Sequence, residues 1–193
     1  IPFKSHIFFY GKSGSGKSTL FKLLGRYLEP EFGMININEL DITHYNLADL
    51  RNDISYVTSN IAIENKSLLE NITMGRKVNM NSINKILKVT GLDKVLASKD
   101  RNIHTINEME LKSLSTGEKM RIACARVLYR NSKIYLFDEC FSNMDIKSER
   151  QLLINIFNNY KDATILYISH RLENKDLFAR KYVLKDGTIY EEK

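Results

Sequence analysis

No apolar run in this sequence is long enough to cross a bilayer as a helix. The strongest, residues 7–10, 134–137 and 165–168, are strand-sized, whereas a spanning helix needs about 20 mostly apolar residues. No signal peptide is recognisable either. The chain starts at Ile1, directly before a strand-like run, so it reads as an excised domain whose first strands and any membrane anchor lie outside it. Cysteine is scarce: Cys124 and Cys140 sit in segments that read as regular structure, and their spacing suits no metal site. That excludes a disulfide scaffold and points to a reduced, intracellular compartment. There are two prolines, Pro2 and Pro30, and no repeat, low-complexity tract or flexible linker along which to divide the chain.

What is present is the composition of an ordinary globular domain. Of 193 residues, 43% are hydrophobic and 27% charged, enough for one domain with a core and short for two. Lys and Arg number 29 against 23 Asp and Glu, a net charge of +6. This permits contact with nucleic acid or an anionic membrane without requiring it. The basic residues are scattered, and aromatic residues do not interleave with them.

Apolar runs and turn signals alternate along the chain. Residues 6–10 end in Gly11, as a buried parallel strand does. Residues 18–27 have helical character, with Leu20, Leu23, Leu24 and Tyr27 near one face. Strands are expected over 33–37 and 54–58. From residue 60 to 112 the character changes to helices and loops. The clearest helix covers 81–90, with Ile83, Ile86 and Leu87 at helical spacing and Gly91 as its stop. A helix over 115–129, a strand over 133–138, a helix over 147–160 and a strand over 164–169 follow. Finally, 182–184 and 188–190 flank Asp186-Gly187, a two-residue hairpin signal. The pattern predicts an α/β fold with a mostly parallel sheet covered on both faces. Residues 1–59 and 114–193 would form its core and 60–113 an inserted helical subdomain.

Three segments carry chemistry. Gly11-Lys12-Ser13-Gly14-Ser15-Gly16-Lys17-Ser18-Thr19 fits the phosphate-loop pattern in full, after a strand and before a helix. Its glycines let backbone N–H groups wrap an anion, and the helix adds its positive end. Lys17 can reach β- and γ-phosphates, and the Ser18 hydroxyl can bind Mg²⁺. The strand ending in Asp138-Glu139 brings two carboxylates to the crevice where α/β proteins bind ligands. Asp138 suits the metal, and Glu139 suits positioning and polarising the attacking water. In Leu114-Ser115-Thr116-Gly117-Glu118, Ser115 and Glu118 form an S-x-x-E capping box. Met120, Ala123, Cys124, Val127 and Leu128 then recur on one face. Alone, that is a well-capped amphipathic helix.

Taken in order, with Ser142-Asn143-Met144-Asp145 and His170 after the next strand, these segments resemble the nucleotide-binding domain of the ATP-binding cassette (ABC) family. Leu114 to Glu118 is similar to the family's signature, Ser142 to Asp145 to its D-loop, and His170 to its switch histidine. The resemblance implies an ATP- and Mg²⁺-dependent ATPase whose two cassettes pair head to tail around ATP. ATP would be held by Gly11, Ser13, Gly14, Ser15, Gly16, Lys17, Ser18 and Thr19, with Ser115 and Gly117 contacting its γ-phosphate across the pair. Lys17, Glu139 and His170 would be catalytic, and Ser18, Asp138 and Ser59 would hold the metal. Partners would be a second cassette and membrane domains outside the chain, at the cytoplasmic face of the cell membrane, with no direct nucleic acid. Residues 65–72 look like the corresponding exporter segment, and general similarity favours a bacterial peptide or bacteriocin exporter. Three positions depart from the family: Ser59 stands where a Gln is usual, Thr116 replaces a Gly, and Glu118 replaces a Gln. The adenine-stacking aromatic is expected upstream of the chain, with Tyr10 belonging to the strand core. A binding-only cassette paired with an active partner, and a soluble cassette acting on nucleic acid or the ribosome, remain as alternatives. No sustained heptads occur between Thr19 and Leu114, which argues against a coiled-coil DNA-repair relative.

Overall fold

The computed structural model describes residues 1–60 and 62–192. In chain order the strands are β1 (His6–Tyr10), β2 (Asn36–Ile37), β3 (Leu40–Asp41), β4 (Ile54–Thr58), β5 (Ile134–Asp138), β6 (Thr164–Ile168), β7 (Arg180–Lys185) and β8 (Thr188–Glu191). The helices are α1 (Lys17–Leu24), α2 (Leu47–Asp53), α3 (Leu68–Thr73), α4 (Met80–Thr90), α5 (Leu92–Ser98), α6 (Glu108–Lys112), α7 (Thr116–Tyr129) and α8 (Ile146–Asn159). Six strands form one sheet in the order β4-β5-β6-β1-β7-β8. β1 runs parallel to both β6 and β7, and β5 runs parallel to β6. The final hairpin, β7 with β8, is antiparallel. Asp186 and Gly187 at its tip have φ of 50° and 75°, the backbone a two-residue hairpin turn requires. The sheet is the mostly parallel one that the sequence pattern predicts.

The chain divides into two compact units. The first holds Ile1–Tyr56, Ser132–Glu139 and the residues from 162 onward. Its strands are near-continuous apolar runs because they are covered on both faces. Ile7, Phe9, Leu136, Leu166 and Ile168 are all buried there, and Phe21 of α1 packs into the same cluster. The second unit holds Val57–Asn131 and Cys140–Lys161. Its helices are defined by their caps. Ser67 with Glu70, Asn107 with Glu110 and Ser115 with Glu118 are reciprocal capping boxes at the starts of α3, α6 and α7. α4 ends at Gly91, whose φ of 71° is the left-handed stop that its glycine permits. Asn71 of α3, wholly buried, is satisfied through its amide by the carbonyls of Glu64, Lys66 and Ser67.

Three expectations are corrected. α1 stops at Leu24, because Arg26 turns into the left-handed region at φ 49° and carries Tyr27 off the helix to an exposed position. Of residues 33–37 only Asn36–Ile37 is a strand, and it pairs with β3 through a tight turn whose Asn38 and Glu39 both have positive φ. Cys140 lies in the turn after β5, not in a regular element; like Cys124 it is buried. Burial pushes the Cys124 thiol up to about 12, so it behaves as a small apolar core group.

Candidate functional site

Within the first unit, the ends of β1, β5 and β6 lie side by side in the sheet and deliver the residues singled out above. The chain leaves β1 at Gly11, with φ 154°. A Cβ there would lie 2.4 Å from the Leu184 carbonyl oxygen, so only glycine lets the loop start this close to β7. The loop then returns through Gly14 and Gly16, both at positive φ, and Gly16 is the N-cap of α1. With no side chain to bond the first turn, the N–H groups at the start of α1 remain available to an anion. Lys17 is buried, and its Nζ folds back onto the carbonyls of Gly11 at 3.0 Å and Lys12 at 2.9 Å. An ammonium held inside a ring of backbone is placed for a phosphate the ring would enclose.

At the end of β5, Asp138 is buried and both its oxygens accept hydrogen bonds. Ser18 Oγ donates to Oδ1 at 3.1 Å and Tyr56 OH donates to Oδ2 at 2.8 Å. Burial, and then the carboxylate it bonds, hold the Tyr56 phenol well above the usual tyrosine range. Sequence reasoning missed Tyr56. It sits on β4, and the one available signal is a hydroxyl-bearing ring inside an otherwise apolar strand. Glu139 has φ 49°, a left-handed backbone unusual for a side chain of its size. Its N–H is bonded to Ile168 O at 2.9 Å, which ties that bend to the end of β6. The carboxylate thereby faces His170: Nδ1 lies 3.8 Å from Glu139 Oε2, with the side chains 57% and 40% exposed. That is beyond a hydrogen bond and within ion-pair reach once the imidazole is protonated.

Along the loop lies a groove of about 760 Å³, walled by Gly11 to Gly16, His170, Leu172, Tyr10 and the β7–β8 turn. Tyr10 therefore departs from the strand-core expectation. It is half-buried, its hydroxyl donates to Glu192 Oε2 at 2.9 Å, and Lys175 Nζ stands 4.8 Å from its ring centre.

The second unit carries its own polar hollow, lined by Ser115, Thr116, Gly117 and Glu118 with Asn143 and Asp145. Ser115 Oγ accepts from the Glu118 N–H at 3.2 Å, and Glu118 Oε2 accepts from the Ser115 N–H at 2.8 Å. Burial pushes the Glu118 carboxyl up, but its bonds to Ser115 together with the nearby Lys99 ammonium outweigh that and leave it below the usual range. A Cβ on Gly117 would meet Met144 Cγ at 3.5 Å, an ordinary contact. Packing within the chain thus does not demand glycine at that position. Asp145 caps α8 by accepting from the Ser148 N–H at 2.9 Å. Ser59 is exposed, one residue past the end of β4.

Among the described residues no group of three or more His, Cys, Asp or Glu side chains could hold a metal. The Ser18 hydroxyl and the Asp138 carboxylate, 3.1 Å apart, instead suit a hard cation that keeps waters and takes further oxygens from a bound phosphate. Mg²⁺ fits that description.

A family profile described as ABC transporter matches residues 1–142. The chain is 35% identical over 185 residues to the mitochondrial iron-sulfur clusters transporter ATM1 of Candida glabrata, covering 94% of this chain and 25% of that protein. It is 32% identical over 181 residues to the ATP-dependent lipid A-core flippase of Burkholderia thailandensis, covering 94% of this chain and 30% of that one. Among solved structures, a bacterial Atm1-family ABC exporter with ATP bound superposes with a TM-score of 0.87 at 31% identity, over 98% of this chain and 34% of the other. The chain thus spans roughly a quarter to a third of these relatives.

Proposed function

This chain belongs to the ABC transporter family, and on that premise we propose that it is the ATP-hydrolysing nucleotide-binding domain of an exporter, driven by head-to-tail pairing of two cassettes around ATP. One observation carries the reading: the Ser18 bond to Asp138 joins the phosphate loop to the acidic strand end, so one bound triphosphate would meet both. Gly11, Ser13, Gly14, Ser15, Gly16 and Thr19 cradle the phosphates, and Lys17 neutralises charge on the outer two. Mg²⁺, held by Ser18 and Asp138, supplies charge neutralisation at the phosphate oxygens when bound. Glu139 orients the attacking water and His170 contacts the γ-phosphate beside it, the two side chains already facing one another. Ser115 and Gly117, at the start of α7, offer helix N-terminal donors to the γ-phosphate held by the partner's loop. Phosphoryl transfer depends mainly on positioning and electrostatics, so a site split between two chains can be assembled by closure.

The partners are a second cassette and membrane-embedded domains, and the work is done at the cytoplasmic face of the membrane. No helix among the described residues is long and apolar enough to cross one. The relatives named above are an iron-sulfur clusters transporter, a lipid A-core flippase and an Atm1-family exporter. None is a bacteriocin exporter, and similar cassettes serve chemically different cargo, so cargo choice lies in segments beyond this one.

The test is ATP binding and turnover by the purified protein and two variants. Lys17→Ala abolishes ATP binding. Glu139→Gln keeps binding and slows turnover at least ~100-fold, the scale of a lost general base. Turnover by Glu139→Gln equal to the parent's removes Glu139 from its role. A parent that binds ATP without hydrolysing it is a binding-only cassette.

A further inference from the structure

We propose that Tyr56 is a positioning residue for the divalent cation: its phenol holds one oxygen of Asp138 so that the other is presented, beside the Ser18 hydroxyl, to the metal that accompanies the nucleotide. The inference rests on the reading of this site as a Mg²⁺–ATP site and concerns a residue that none of the motifs marks.

The two oxygens of Asp138 are used differently. Oδ1 is shared with Ser18 Oγ at 3.1 Å, and Oδ2 is taken by Tyr56 OH at 2.8 Å. Tyr56 comes from β4, the strand next to β5, and is separated from Asp138 by 82 residues of sequence. Its ring is braced on two sides. Phe21 of α1 meets it edge-on at 6.4 Å and 79°, and Tyr27 lies against it at 5.6 Å. Tyr27 is in turn covered by the Arg51 guanidinium, 4.8 Å from its ring centre. A ring held this way fixes where the phenol oxygen lies and the direction in which its C–O bond points.

That direction matters because the terminal torsion of an aspartate is broad and two-fold, so an unbraced carboxylate turns freely. Metal-binding side chains need an outer partner to fix their orientation. An ionised carboxylate only accepts, so the Tyr56 hydroxyl necessarily donates to Oδ2 and leaves Oδ1 as the oxygen facing Ser18. Ser18 can keep its hydrogen on Oδ1 while its own lone pairs face a cation. Core packing accounts for the ring contacts of Tyr56 but not for a hydroxyl placed on the one buried carboxylate of the site.

The experiment titrates Mg²⁺ into the protein with a trinitrophenyl-labelled ATP, for the parent and for Tyr56→Phe, which keeps the ring contacts. Half-saturating Mg²⁺ rises about tenfold in Tyr56→Phe, the scale of lost outer-partner support. Nucleotide affinity in EDTA stays within about twofold, because the phosphate loop is untouched. In an Asp138→Asn background the same substitution moves the midpoint no further, as expected when one residue acts through the other. An unmoved midpoint in Tyr56→Phe, with or without a lower Tm, overturns the proposal by leaving Tyr56 a structural residue. An equal shift in the Asp138→Asn background also overturns it. A parent that binds no labelled ATP removes the nucleotide site and this inference together. ATP binding with an unmoved Mg²⁺ midpoint removes Tyr56 alone.

Discussion

At the scale of single residues, two glycines of the proposed ATP site stand in opposite situations. Gly11 is required by the fold, since a Cβ would press against the backbone of β7 at 2.4 Å. Gly117 has ordinary room, with its nearest neighbour at 3.5 Å. Gly11→Ala therefore costs about 2–4 kcal/mol through backbone strain and displacement, a Tm loss of at least ~5 °C for a chain of this size. Gly117→Ala leaves Tm within about 1 °C, because it makes no cavity and no clash. Differential scanning fluorimetry of both variants checks the pair, and a Gly11→Ala protein as stable as the parent sinks the argument. Lys17, Asp138, Glu139 and His170 were singled out from the sequence, because each falls at a strand or helix end in an order that resembles the family's. Tyr56 was not. Its partner is distant in sequence, and a tyrosine in an apolar strand gives no sign of what its hydroxyl will meet.

At the scale of elements, helix starts were the most readable features. The Ser115–Glu118 box was expected and is present, with Glu118 held below its usual range. Ser67 and Asn107 begin boxes of the same kind, and Glu70 and Glu110 are lowered mainly by bonds to those caps. A carboxyl lowered in the folded state adds stability that is present above its ordinary value, 4.5 here, and is lost as pH falls through the folded value. Removing that charge should therefore matter at neutral pH and not in acid. The Tm gap between the parent and Glu118→Gln is expected to be open at pH 7 and to close toward pH 3. Thermal melts followed by circular dichroism measure it, and a gap constant across that range is evidence against the box as its source. Element ends governed by tertiary contact were less readable. α1 stops short of residue 27 because Arg26 takes a left-handed turn and Tyr27 packs against Tyr56. Residues 33–37 have apolar character, but only Asn36 and Ile37 find a strand partner, and pairing decides what propensity leaves open.

At the scale of the whole molecule, the two candidate surfaces belong to different compact units. The phosphate loop with Asp138, Glu139 and His170 lies in the first, and Ser115 with Gly117 in the second. If two copies supply complementary halves, the ATPase rate per chain depends on how many chains are paired. The expected outcome is a Mg²⁺-dependent rate that rises faster than linearly with protein concentration in the micromolar range. Mixing Lys17→Ala with Ser115→Ala chains is then expected to restore one working site per mixed pair. A strictly linear rate means that a single chain suffices and the shared site is wrong.

The sequence by itself determined the strand and helix alternation, the phosphate loop, the acidic strand end and the capped helix that precedes it. These depend on local pattern: a short apolar run ended by a turn residue, apolar positions at helical spacing, a glycine pattern, a cap three residues before its partner. Tertiary structure alone decided which strand lies beside which, and therefore that β4 brings a phenol to Asp138 and that the ends of β1, β5 and β6 stand together. It also decided that Tyr10 faces a groove and that Glu139 bends into the left-handed region under a bond from β6. Such features depend on pairs of residues far apart in the chain, and no local pattern encodes the distance between them.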